Sequence, residues 1–185
     1  GNVSSDAEIS VAGDTSFTGS AAQTVTSQKN QTYSGNCIVD SKLTITASDS
    51  NDETDEIIEF NGINSGAGSI TVNGTIGLLK SGNYVTDGNQ SFNCPKGVRV
   101  VESAGGIWSA GSLIELKNGT ELFLDFGSQA ISLITDISAA NIWFWSGNLT
   151  VEGGVTVSTV NAAVWGPVSG TPAYSADDPR YAGED

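Results

Sequence analysis

Short triplets of the form apolar-x-apolar recur along the chain at nearly regular spacing. One series runs Leu43-Thr44-Ile45, Ile70-Thr71-Val72, Val98-Arg99-Val100, Leu122-Phe123-Leu124 and Leu149-Thr150-Val151, with starts separated by 27, 28, 24 and 27 residues. A second lies roughly midway, at Ile57-Ile58, Tyr84-Val85, Leu113-Ile114, Ile142-Trp143 and Val164-Trp165. Alternation at period two is the signature of a strand with one face buried. Turn dipeptides such as Asn61-Gly62, Asn73-Gly74, Asp87-Gly88, Asn118-Gly119 and Gly153-Gly154 punctuate the series. Self-similarity at such a period suggests stacked repeats that share one core. The pattern predicts an all-β parallel β-helix-like solenoid with short turns of about 27 residues. Residues 31–166 form its β-rich core domain, residues 1–30 an N-terminal arm or cap, and residues 167–185 an extended C-terminal tail. The alternative is a β-sandwich or jelly roll with a strand every 8–12 residues or so, in which Asn118-Gly119 closes a hairpin.

Composition sharpens the class. Charged residues are 15% of the chain, against about 25% in average soluble domains. Gly (23 of 185), Ser, Thr and Asn fill the difference, and no 3.6-residue apolar stripe runs for three turns. The formal net charge of −14 repels phosphate backbones and anionic membranes, and no basic cluster exists for nucleic acid to use. No stretch of about 18 apolar residues is present to cross a membrane as a helix. With no charged-then-apolar leader before Gly1-Asn2, a mature or trimmed chain is expected. Six Asn-x-Ser/Thr sequons (Asn2, Asn30, Asn73, Asn89, Asn118, Asn148) suit a surface protein, although a chain this rich in Asn, Ser and Thr generates several by chance.

The two cysteines test the stacking. Cys37 and Cys94 each precede a strand of the first series, two turns apart in that register. Two turns amount to about 10 Å, beyond the roughly 7 Å between Cα atoms that a disulfide spans. The solenoid therefore predicts free, buried thiols, and a sandwich would allow a Cys37–Cys94 bridge.

Candidate chemistry is sparse. With no histidine, Ser-His-Asp triads, Cys-His dyads and His-ligated metals are ruled out. Glycoside hydrolysis needs only two carboxylates, but Glu115, Glu121 and Asp125 read as ordinary surface groups, with Glu121 and Asp125 facing out where Leu122, Leu124 and Phe126 face in. Asp49, Asp52, Glu53, Asp55 and Glu56 crowd one loop. An EF-hand reading fails there, because Thr54 stands at the glycine position and Phe60 at the bidentate glutamate position. A solvated acidic loop is the expectation. Along Asn141-Ile142-Trp143-Phe144-Trp145, Trp143 and Trp145 fall on one side of a strand, Ile142 and Phe144 on the other. Two-sided apolarity fits a core on one side and a neighbouring subunit on the other. The same aromatics, with Trp108 and Trp165, are candidates for stacking on sugar rings.

Ala176-Asp177-Asp178-Pro179-Arg180-Tyr181 resembles the Asp-Pro-Arg-Tyr element of bacteriophage tail-fibre, tailspike and head-fibre proteins. The likeness is close over the tail and one of style over the body, which shares the Gly/Ser/Thr/Asn-rich short-strand repeats. It implies a homotrimeric protein at the virion surface, with Asp178, Pro179, Arg180 and Tyr181 as a docking tail; a solvated tail is the alternative. The expected function is a structural virion-surface protein (phage capsid decoration, head fibre or tail fibre/spike subunit). It would act without catalysis, cofactor or metal, through homo-oligomers and other virion or surface proteins. An extracellular adhesin or filament subunit, and a carbohydrate-binding module at a secreted or cell-surface location, are the alternatives.

Overall fold

A computed structural model describes residues 1–49, 55–80, 83–101 and 105–160, together with the backbone of Val164–Trp165. It is a parallel β-solenoid of about seven turns, with about 22 residues per turn and no helix among the described residues. The first turn comprises β1 (Asn2–Ser5), β2 (Ile9–Val11) and β3 (Thr15–Phe17), and the second β4 (Gln23–Ser27), β5 (Gln31–Tyr33) and β6 (Cys37–Val39). The third is β7 (Leu43–Ala47), β8 (Ile57–Phe60) and β9 (Ile63–Ser65), and the fourth β10 (Ile70–Asn73), β11 (Ile76–Leu79) and β12 (Tyr84–Val85). The fifth is β13 (Gln90–Asn93), β14 (Val98–Val101) and β15 (Gly106–Ser109). The sixth has β16 (Ile114–Leu116) and the long β17 (Leu122–Leu133), the seventh β18 (Ile137–Ala139) and the long β19 (Ile142–Val151). Two short strands, β20 (Val157–Thr159) and β21 (Val164–Trp165), begin the next.

Three walls result. The first is the eight-stranded sheet β1-β4-β7-β10-β13-β16-β18-β20. The second (β2, β5, β8, β11, β14) and third (β3, β6, β9, β12, β15) merge into one thirteen-stranded sheet, because β17 bends across their corner. Its first part pairs with β14 and its last part with β15. The strands of all three walls pair in parallel, so the sandwich alternative is set aside. Residues 1–30 build the first turn and begin the second, with Asn2–Ser5 in register against Thr24–Ser27.

From the third turn onward, the inward positions of the first wall are mostly aliphatic. On the first wall Leu43, Ile70, Gln90, Ile114, Ile137 and Val157 stack in one inward column. Burying each aliphatic side chain of such a column contributes about 1.5–3 kcal/mol. Gln90 is the polar member, and its environment explains why it is tolerated. Its Nε2 donates to the carbonyls of Ser109 (2.8 Å) and Tyr84 (3.1 Å), while its Oε1 accepts from Trp108 Nε1 (2.8 Å). Gln31 does the same work one corner away, donating to Thr46 O and accepting from Tyr33 Oη. Buried side-chain amides thus serve backbone groups where a corner interrupts the ladder, which removes the penalty of leaving them unpaired. Thr120 and Thr135 act likewise: each hydroxyl accepts an amide N–H of the turn below and donates to a carbonyl.

The period of 27 residues is corrected. Thr24 pairs with Thr44 and Ile70 with Gln90, turns of 20 residues, and only the turn from Leu43 to Ile70 takes 27. That turn is lengthened by the acidic stretch between β7 and β8. Elsewhere a step of 27 overshoots a turn and lands on the next wall. Leu43 and Ile70 lie on the first wall, Val98 and Leu122 on the second, Leu149 on the third. All three walls use the same alternation, so spacing alone does not reveal the drift.

Both cysteines are buried and free, as the stacking requires, though from other positions. Cys37 lies on β6 in the second turn and Cys94 follows β13 in the fifth. They are three turns apart on different parts of the perimeter. Asn118 and Gly119 both have positive φ (54° and 82°) in a turn closed by Thr120 N–H to Lys117 O. The turn leads from the first wall to the second, and β16 pairs with β13 and β18 instead of folding back on β17.

Candidate functional site

The outward side of the second wall changes character along the axis. Register places Thr32, Glu59, Leu78, Arg99, Phe123 and Trp143 in one outer column, with the backbone of Trp165 next. Toward the N-terminus the column is polar, and Glu59 pairs with Lys80 at 3.2 Å. Toward the C-terminus it is aromatic. Phe123 and Trp143 stack with ring centroids 6.4 Å apart and planes 7° from parallel. Although both point away from the core, they are only 6% and 9% exposed. The corner before β14 accommodates them: Gly97 has φ +97°, and a Cβ there would come within 2.4 Å of the Phe123 ring. Glycine is needed twice over, for the backbone conformation and for the ring.

Beneath this column the inward side chains close the core. Leu122, Leu124, Phe126 and Ile142 are buried, and Phe126 meets Phe144 edge-on at 6.0 Å. Beyond Phe144 the register slips: Leu124 opposes Phe144, but Asp125 opposes Ser146. Trp145 is the extra residue of this bulge. The slip interrupts the strict alternation on which the Trp143 and Trp145 pairing is read from sequence. At the same end a cavity of about 770 Å³ opens between β19 and β20, lined by Phe144, Leu149, Val151 and Val157 among others.

Trp108 is corrected as a surface candidate. It is 1% exposed, in edge contact with Tyr84 and Phe92, and bonded to Gln90. The side chain of Trp165 and the tail residues Asp178, Pro179, Arg180 and Tyr181 lie outside the described residues. Phe123 is the member of the column that the sequence reading missed. Its signal was three consecutive apolar residues, Leu122-Phe123-Leu124, which in a strand marks burial on both sides.

No protein-family model, curated protein or solved structure matches the chain.

The carboxylates are dispersed. Glu115 is on the first wall and pairs with Lys117 at 3.2 Å. Glu121, at the next corner, accepts from Asn141 Nδ2, and Asp125 accepts from Ser146 at the far end of the second wall. Of the acidic loop, residues 50–54 are outside the described part. Its flanks are held by Lys29 on Asp49 (2.7 Å) and Lys96 on Asp55 (2.8 Å), while Thr75 Oγ1 donates to the buried Glu56. The contact with Asp49 raises the Lys29 pKa above its ordinary value, through the hydrogen bond first and the charge second. Among the described residues no three metal-ligating side chains converge. The buried thiols are poor nucleophiles: burial pushes both up to about 12, helped at Cys37 by the charge of Asp14 and opposed at Cys94 by the amides of Gly74 and Asn93.

Proposed function

We propose that the chain is a structural protein of a virion surface, a fibre, spike or capsid-decoration subunit that assembles as a homotrimer and displays its walls without catalysis. The observation that carries this reading is the outward Phe123–Trp143 stack on a rigid, axially continuous ladder, toward the C-terminal end of the described turns. The two rings are already nearly covered within one chain, so what they offer a neighbour is a rigid, pre-ordered aromatic edge that costs little entropy to dock against. The tail's likeness to phage fibre and spike proteins supports the location. Stacking also bears on the carbohydrate-binding reading. Phe123 and Trp143 turn faces toward each other, which leaves less ring face for a sugar.

Mass photometry and sedimentation velocity of the whole chain test the reading. A discrete species of three times 19.0 kDa is expected, and Trp143→Ala should shift it toward monomer. Monomer at tens of micromolar would sink the oligomeric reading. Open-ended polymers would favour the filament subunit.

A further inference from the structure

The third wall differs from the other two. Along β3, β6, β9, β12, β15 and the last part of β17, Ala130–Leu133, there is no charged residue. Its outward positions alternate serines (Ser16, Ser65, Ser109, Ser132) with aliphatic side chains. Ile107 is 42% exposed and Ile134, just after β17, is 43% exposed, with Ile38 lower on the wall. Val85 opposes Ser109 across the β12–β15 ladder, and Ile134 donates its amide to Trp108 O, which places it beside Ser109 on the other side. Val85, Ile107 and Ile134 therefore surround Ser109 in one uncharged apolar patch, of a kind that marks interaction sites.

Charge borders this patch on one side. The corner from the third wall to the first carries Asp40, Asp87, Asp136 and Glu152, all exposed. Lys42 is the one basic residue at that corner among the described residues. Four of the five lysines are committed elsewhere, to Asp49, Glu59, Asp55 and Glu115. None of the four corner carboxylates has a lysine or arginine within salt-bridge distance among the described residues. Asp40 and Asp136 accept only backbone amides, from Ala67 and Thr156. The surface is thus an aliphatic centre with an uncompensated acidic rim, the arrangement in which rim charge selects the partner and the centre supplies affinity.

We propose that the third wall and its acidic corner form a docking surface for a partner protein that presents aliphatic side chains flanked by lysine or arginine. A second copy of this chain fits less well, since it brings the same acidic rim and a net charge of −14. The inference stands apart from the trimer reading, which concerns the second wall.

The test uses a fluorescein-labelled heptapeptide of alternating lysine and isoleucine, with a lysine–serine peptide as control, and fluorescence anisotropy on the whole chain. The lysine–isoleucine peptide should bind in preference, more tightly at low salt. Ile107→Ser with Ile134→Ser should weaken it by about tenfold or more. Asp40→Asn, Asp87→Asn and Asp136→Asn together should weaken it and flatten its salt dependence. All positions are exposed, so both variants should keep the wild-type circular dichroism. Equal binding of the lysine–serine peptide would overturn the proposal, as would affinity unchanged in either variant set. A wild-type oligomer that Ile107→Ser with Ile134→Ser dissociates, without peptide binding, would assign the wall to a second copy instead.

Discussion

Single residues in this core are chosen for what they do not ionise as much as for what they fill. Cys37 and Cys94 occupy fully buried positions, and a thiolate there would lose its hydration without gaining a cation. The thiols titrate near 9 in the unfolded chain and near 12 in the folded one. Below pH 9 both states hold the proton, and the stability is fully present. Between about 9 and 12 the unfolded state releases protons that the native state retains, so stability falls as pH rises, by up to about 1.4 kcal/mol per pH unit for each thiol. Burial raises Tyr33 and Tyr84 in the same direction and adds to the loss above pH 10. Thermal melts should hold steady to about pH 8.5 and then decline steeply, with a shallower decline in Cys94→Ala. A melting temperature flat to pH 11 would contradict this account of the core.

At the scale of the element, a strand and the corner before it act together. Gly97 lets the chain enter β14 and lets Phe123 of β17 lie across the corner. Gly97→Ala places a methyl where the ring sits and keeps a positive φ that alanine resists, at a cost of about 1–3 kcal/mol. Urea unfolding should show that loss, and Phe123→Leu in the same chain should recover part of it by vacating the ring. If the double variant is as unstable as the sum of the singles, the clash is not the cause. The same elements show what could be read in advance. Strand existence was legible, because Leu43-Thr44-Ile45 and Ile70-Thr71-Val72 alternate without ambiguity. Which wall a strand occupies was not, because nothing local distinguishes Val98-Arg99-Val100 on the second wall from Ile70-Thr71-Val72 on the first. Trp143 was legible as an outward aromatic. The bulge at Trp145 was not, because it is set by pairing with β17, a full turn earlier in the chain. Burial of Trp108 is not legible locally because its hydrogen-bond partner, Gln90, lies eighteen residues away, and a buried indole is recognised by its partner.

The whole molecule is close to one-dimensional: each turn touches the turns above and below, and stability is nearly a sum over neighbours. Removing one complete turn should then shorten the rod without unfolding it. Deleting residues 70–89 brings Gln90 into the place of Ile70 over Leu43, since both pair in the same column. The shortened chain should retain a β-type circular dichroism spectrum and a cooperative melt at lower temperature. A disordered product would show that the turns are not interchangeable units.

The unequal turns bear on how such a chain can change over generations. A turn of 27 residues, lengthened at the corner after β7, sits between turns of 20, and the ladders on either side keep their pairing. Sequence length is therefore nearly free at the corner after β7, while within a strand a single added residue would turn every following side chain inside out. Insertions and deletions should accumulate at that corner as a lineage diverges, and the walls should drift only by substitution.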